Sequence, residues 1–172
     1  MKQIFAIIML TFLANFTFAG NGKITVTQGN KNVFNENALV IVEFDYSSTT
    51  WEDDDNYKTW SGNDFDERVN LSINAFTNSF KATSKKLKVS ENQDAKYKIV
   101  VIVENLEQHQ SMSTWGRLTM KITGKIQVVE IDTNNLVCEL SVKDVKGSPD
   151  YTMTDRINKA FCELGALIGE YK

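Results

Sequence analysis

One histidine, one proline and two cysteines are all that this chain of 172 residues holds of three residue types that often organise a site or a fold. His109 alone cannot build a histidine metal cluster, and a nucleophile triad has only that one base to draw on. Ser111 and Ser113 stand near it, but no acid is marked to orient the ring, so His109 reads as a solvated histidine at a strand end or in a loop. Two cysteines make no disulfide-dense scaffold. Cys138 alternates with Leu136, Leu140 and Val142, and Cys162 sits beside an apolar helical stripe. Both read as buried thiols acting as small hydrophobes, with a single bridge as the alternative. An excess of positive charge is missing as well: 19 Lys and Arg stand against 22 Asp and Glu, a net charge of -3. Nothing there holds nucleic acid or anionic lipid by a basic field. The lone proline and a hydrophobic content of 42% argue for a folded domain rather than a disordered one.

A run long enough to cross a bilayer is also lacking. The chain opens Met-Lys-Gln, continues through an apolar core from Ile4 to Leu13, and reaches the small residues Thr17 and Ala19. A spanning helix needs about 20 apolar residues, and Asn15 and Thr17 interrupt this one too early. Residues 1–19 therefore read as a cleavable secretory signal, with cleavage after Ala19. No cysteine follows the cleavage point to be acylated. The expectation is a periplasmic or secreted protein with no membrane insertion after cleavage. Residues 20–172 fit a single domain.

What is present is strand-forming sequence. Tyr97-Lys98-Ile99-Val100-Val101-Ile102-Val103 carries apolar side chains at both parities and reads as a central strand buried on both faces. Ala38 to Asp45 has the same character and is expected beside it, whereas Lys23 to Thr27 and Leu87 to Val89 read as edge strands. Arg117 to Val128 alternates, apolar on even numbers and polar on odd, and the parity flips at Val129 and Ile131, which marks a bulge or twist. Asp132 to Asn135 reads as a hairpin turn and Leu136 to Val145 as the return strand.

Two amphipathic helices complete the pattern. In the first, Phe65, Val69, Ile73, Phe76 and Phe80 form the apolar stripe, with Asn63 or Ser61 as the cap and Lys85 and Lys86 at the end. The second runs from Met153 to Tyr171, capped by Thr152 or Thr154. The order of elements predicts an α+β fold: a two-layer α/β sandwich whose mixed, mostly antiparallel sheet is covered by the two helices.

Between strand and helix, residues 47–63 turn acidic, aromatic and rich in hydroxyls, forming a loop unusually long for a compact domain. Trp51, Asp53, Asp54, Asp55, Tyr57 and Trp60 fall within it, and Trp115 lies in a second polar loop. Aromatics in polar loops are enriched at binding surfaces, so these seven residues are the candidate contact set. The competing reading folds the aromatics back as a lid over the sheet. Four adjacent acids, Glu52 to Asp55, lack the alternating spacing and central glycine of a calcium loop, and no metal or other cofactor is expected.

The run Ala95-Lys96-Tyr97-Lys98-Ile99-Val100-Val101, the later Gln127-Val128-Val129-Glu130-Ile131-Asp132-Thr133, the return strand and the terminal helix together resemble a family of bacterial envelope domains. These are the domains related to the curli-export lipoprotein CsgG and to the amino-terminal domain of the Tol-system protein TolB. Ile131-Asp132-Thr133 keeps the form of the family's hairpin, and Asn134 stands where glycine is usual. The resemblance implies a non-catalytic envelope domain that works through contacts with an envelope protein partner. The expected function is accordingly a non-enzymatic one, with the loop 47–63 as docking surface. The alternative is a small-ligand or glycan-binding periplasmic protein that uses the loop aromatics as stacking platforms.

Overall fold

Segments in which β-branched and aromatic residues alternate pair into one open sheet in the computed structural model, which describes residues 22–90, 94–110 and 117–172. Residues 1–19, Ser111, Ser113 and Trp115 lie outside them. Strand β1 (Lys23–Gly29) is followed by a 3-10 turn (Lys31–Asn35) and by β2 (Ala38–Asp45). Two short strands, β3 (Thr50–Trp51) and β4 (Asp55–Asn56), lead to a brief helix α1 (Tyr57–Ser61), a 3-10 turn (Gly62–Asp64) and the long helix α2 (Phe65–Thr83). Next come β5 (Leu87–Val89), β6 (Tyr97–Gln110), β7 (Leu118–Glu130), β8 (Asn135–Lys146) and helix α3 (Met153–Gly169).

The order across the sheet is β1-β8-β7-β6-β2-β5, with β3 joining β6 and β4 joining β3. β2 runs parallel to both β5 and β6, and β6, β7, β8 and β1 pair antiparallel. The expected two-layer α+β sandwich is what forms, with β6 in the interior and β2 beside it. The parity flip at Val129 is a register shift between Val128 and Val129 against β8. Asn134, in the hairpin turn, has φ 54, a left-handed conformation that asparagine tolerates better than most residues.

One expectation needs correcting: the central strand is not buried on both faces. Tyr97, Ile99, Val101 and Val103 are buried, whereas Lys98, Val100 and Ile102 are half-buried. Both long helices cover the same face, so the other layer consists of side chains alone. On that open face Lys98 pairs with Glu43 at 3.2 Å and Lys125 with Glu104 at 3.3 Å. Flanking charges of this kind keep a half-apolar sheet face in water.

Helix α3 behaves as its periodicity predicts. The Thr152 hydroxyl accepts the Asp155 amide at 3.0 Å, and Ile157, Ala160, Phe161, Leu164 and Ile168 are buried. Helix α2 differs in two respects. Its cap position is Asp64, with no side-chain capping bond, because the Asp64 carboxylate is engaged by Arg68 at 3.0 Å instead; neither Asn63 nor Ser61 caps it. Its buried face is Ser72, Ala75, Phe76 and Phe80, with Phe65, Val69 and Ile73 only half-buried. The small side chains let α3 come close: a Cβ on Gly165 would sit 2.3 Å from the Phe76 carbonyl oxygen. Fully burying residues such as Phe76, Phe80 and Phe161 stabilises by about 1.5–3 kcal/mol each.

Candidate functional site

The segment 47–64 is not an irregular loop. After β2 leaves β6 at Ile102, the chain turns at Tyr46 to Ser48 and returns to the same edge of β6, where Thr50 lies opposite Asn105 and Trp51 opposite Leu106. The contact is fastened by polar groups. The Thr49 hydroxyl donates to the Val103 carbonyl at 2.6 Å, the Glu52 amide to the Leu106 carbonyl at 3.0 Å, and the Gln108 amide to the Glu52 carboxylate at 3.0 Å. Asp53 and Asn105 bond reciprocally: the Asn105 amide donates to the Asp53 carboxylate at 2.6 Å and the Asp53 amide to the Asn105 carbonyl oxygen at 3.2 Å.

Aromatic side chains from this segment point inward. Trp51 is 5% exposed and Tyr57 is fully buried. The indoles of Trp51 and Trp60 stack at 3.7 Å and 12°, and the Arg68 guanidinium lies 4.6 Å over the Trp60 ring. Tyr57 stands 5.9 Å from both Trp60 and Phe65, and Tyr46 links the group to Phe161 at 6.5 Å. The cluster is thus continuous with the core under the helices. Such pairs contribute roughly 0.5–1.5 kcal/mol each beyond their buried area.

The seven candidate residues therefore divide. Trp51 and Tyr57 are core, a correction to their placement on a contact surface, and the reason is long-range pairing with β6. Trp60 is half-buried with its faces against Trp51 and Arg68, which leaves no open indole face to stack on a sugar ring. Asp53, Asp54 and Asp55 are exposed at the tip. Trp115 lies outside the described residues. The tip is a tight hairpin turn closed by the Asp54 amide on the Trp51 carbonyl at 3.3 Å, and Glu52 and Asp53 take the positive φ pair, 54 and 69, that such a turn requires. Each such residue costs of order 1 kcal/mol and persists only where its surroundings hold it. Here the holding groups are Asn105, the Gln108 amide and the Leu106 carbonyl. The carboxylates of Asp54 and Asp55 pair with no cation among the described residues.

Behind the aromatics lie polar atoms that no sequence pattern marks. Tyr46 Oη, Tyr57 Oη, Ser61 Oγ and Arg68 Nη1 are all buried with no hydrogen-bond partner of good geometry among the described residues, although Ser72 lies near Tyr46 and Ser61 near Tyr57. Burial pushes the pKa of both tyrosines above the ordinary phenol value, with nearby Ser72 and Ser61 only partly opposing it. No group of three or more metal-ligating side chains gathers among the described residues. His109 is the second-last residue of β6, opposite Thr119 and half-buried, with its carbonyl accepting the Thr119 hydroxyl at 3.2 Å. Cys138 is buried in β8 and Cys162 half-buried in α3, and both are free thiols.

No family model and no curated protein matches the chain. Among solved structures it is similar to the PelC dodecamer from Paraburkholderia phytofirmans, at 12% identity over 88% of this chain and 100% of that one, with a TM-score of 0.49. It is also similar to protein XCC0632 from Xanthomonas campestris, of the family model DUF330, at 12% identity over 78% of this chain and 80% of that one, with a TM-score of 0.37. The chain is assigned to no family on this footing. No helix among the described residues is long and apolar enough to cross a membrane.

Sequence reasoning passed over several residues that the structure makes important. Arg156, 8% exposed on α3, donates to the carbonyls of Thr152 and Tyr151 at 3.0 Å each and to the Gln108 side chain. It ties the start of α3 to the end of β6. An arginine inside an otherwise apolar stripe was its only signal.

Proposed function

We propose that this chain is an exported, non-enzymatic envelope domain that acts through protein contacts, and that the contact is made by the acidic tip of the 47–64 segment. The observation that carries the reading is the fixed presentation of Asp54 and Asp55: two left-handed residues hold the turn, β6 anchors it, and the carboxylates face solvent unpaired. The tight hairpin turn between β3 and β4 accounts for the positive φ values, and what it adds for binding is a fixed direction for the exposed carboxylates that follow. The export half of the reading rests on the leader-like residues 1–19, and the resemblance to CsgG- and TolB-related domains points the same way. The surface that such a tip fits is basic. Binding of that kind gains its rate and specificity from charge and weakens as salt rises.

Capture from an envelope extract by the immobilised chain, quantified by mass spectrometry, tests the reading against an Asp54→Asn/Asp55→Asn variant. A protein held by the unaltered chain, released by salt and absent from the variant is the expected result. An identical set on both baits at every salt concentration would contradict it.

A further inference from the structure

Helix α2 carries 19 residues, about 28 Å, away from the acidic tip, and at its far end lies a cavity of about 440 Å³. That volume falls within the range of ligand pockets, roughly 300–1,000 Å³. Its walls are the 3-10 turn Lys31–Asn35 and the ends of α2 and α3. Phe34, 5% exposed, and Tyr171, half-buried, meet edge to face at 5.2 Å and supply an apolar wall. The two helix ends converge here only because residue 169 is glycine: a Cβ there would lie 2.1 Å from Thr83 Oγ1 and 3.0 Å from the Ser84 amide nitrogen.

Three lysines stand on the rim. Lys85 and Lys86 follow α2, Lys172 follows α3, all three are exposed, and none pairs with a carboxylate among the described residues. Against them stand Glu170 and the negative ends of two helices, about half a charge each. Helix ends alone would account for one or two lysines, so the cations available to an anion at the cavity mouth are the flexible, exposed ammonium heads themselves.

We infer that this cavity binds a small amphiphilic anion, with its apolar chain or ring against Phe34 and Tyr171 and its charged head among Lys85, Lys86 and Lys172. Neither the acidic tip nor the contact function enters into this, so the two stand or fall separately. Isothermal titration of the chain with dodecanoate, kept well below its micellar concentration, tests it. Dodecyltrimethylammonium serves as the probe of like tail and opposite head, and Lys85→Glu/Lys86→Glu as the variant. Saturable uptake of one dodecanoate per chain is expected, weakened at least tenfold both by the variant and by reversal of the head charge. Should the double reversal alter the far-ultraviolet circular dichroism spectrum, Lys85→Gln/Lys86→Gln replaces it, with several-fold weakening expected. Absence of saturable binding, equal uptake of the two probes, or dodecanoate binding unchanged in a folded lysine variant would each overturn the inference.

Discussion

At the scale of single residues, burial and partnership together decide what a side chain contributes, and two residues show the opposite ends. Arg156 is buried with each of its donating nitrogens matched to an acceptor. Hydrogen bonds from a charged group are worth about 1.5–3 kcal/mol, and removing the donor strands buried acceptors as well. Arg156→Ala is therefore expected to cost about 3 kcal/mol, read as a lower urea midpoint with an unchanged slope. Tyr57 is as deeply buried, but its hydroxyl has no partner of good geometry among the described residues, with Ser61 only nearby. Tyr57→Phe keeps the ring stacking and removes an unpaired polar atom, so urea denaturation is expected to show no loss, or a gain of up to about 1 kcal/mol. A loss comparable to that of Arg156→Ala would mean that the hydroxyl is bonded in solution.

Among the elements, the edges of the sheet are sensitive to pH. Tyr97 and Lys96 donate to Glu36 at 2.7 and 2.9 Å, tying the start of β6 to the link between the 3-10 turn and β2. Gln127 and Thr27 donate to Glu139 at 2.8 and 2.9 Å, joining β7, β8 and β1 across the open face. These bonds hold both carboxyls below their ordinary pKa. A carboxylate with a lowered folded-state pKa stabilises above its unfolded pKa, and the contribution is lost as pH falls through the folded value. Melting temperature is thus expected to fall on acidification below the usual carboxylate range. Glu139→Gln should shrink that fall, and an acid limb identical in the variant would remove Glu139 from the explanation. The thiols respond differently. Burial, with a smaller push from the Glu139 charge, moves Cys138 up to about 11, whereas Cys162 is half-exposed on its helix. Maleimide near neutral pH is expected to label Cys162 slowly in the folded chain and Cys138 only after unfolding, without reductant.

For the whole molecule, what could be read from the sequence was what local periodicity encodes. β2 begins and ends at Ala38 and Asp45 as expected, β7 buries its even-numbered residues from Met120 to Val128, and Thr152 caps α3, because each signal lies within a dozen residues of chain. The 47–64 segment was not legible in the same way. Trp51 is buried by pairing with Leu106, far away in sequence, and by stacking on Trp60, and nothing in a run of acids and tryptophans distinguishes an aromatic lid from an aromatic surface. Trp51 and Tyr57 follow the lid reading, and the acidic tip is among the parts of the segment that stay exposed. Equilibrium unfolding of Trp51→Ala beside Asp54→Asn/Asp55→Asn tests that division most directly. A loss of about 3–5 kcal/mol is expected for the tryptophan, as for other large aromatics truncated in a core, and less than about 0.5 kcal/mol for the paired aspartates. A tryptophan variant as stable as the unaltered chain would place Trp51 at the surface and contradict the account.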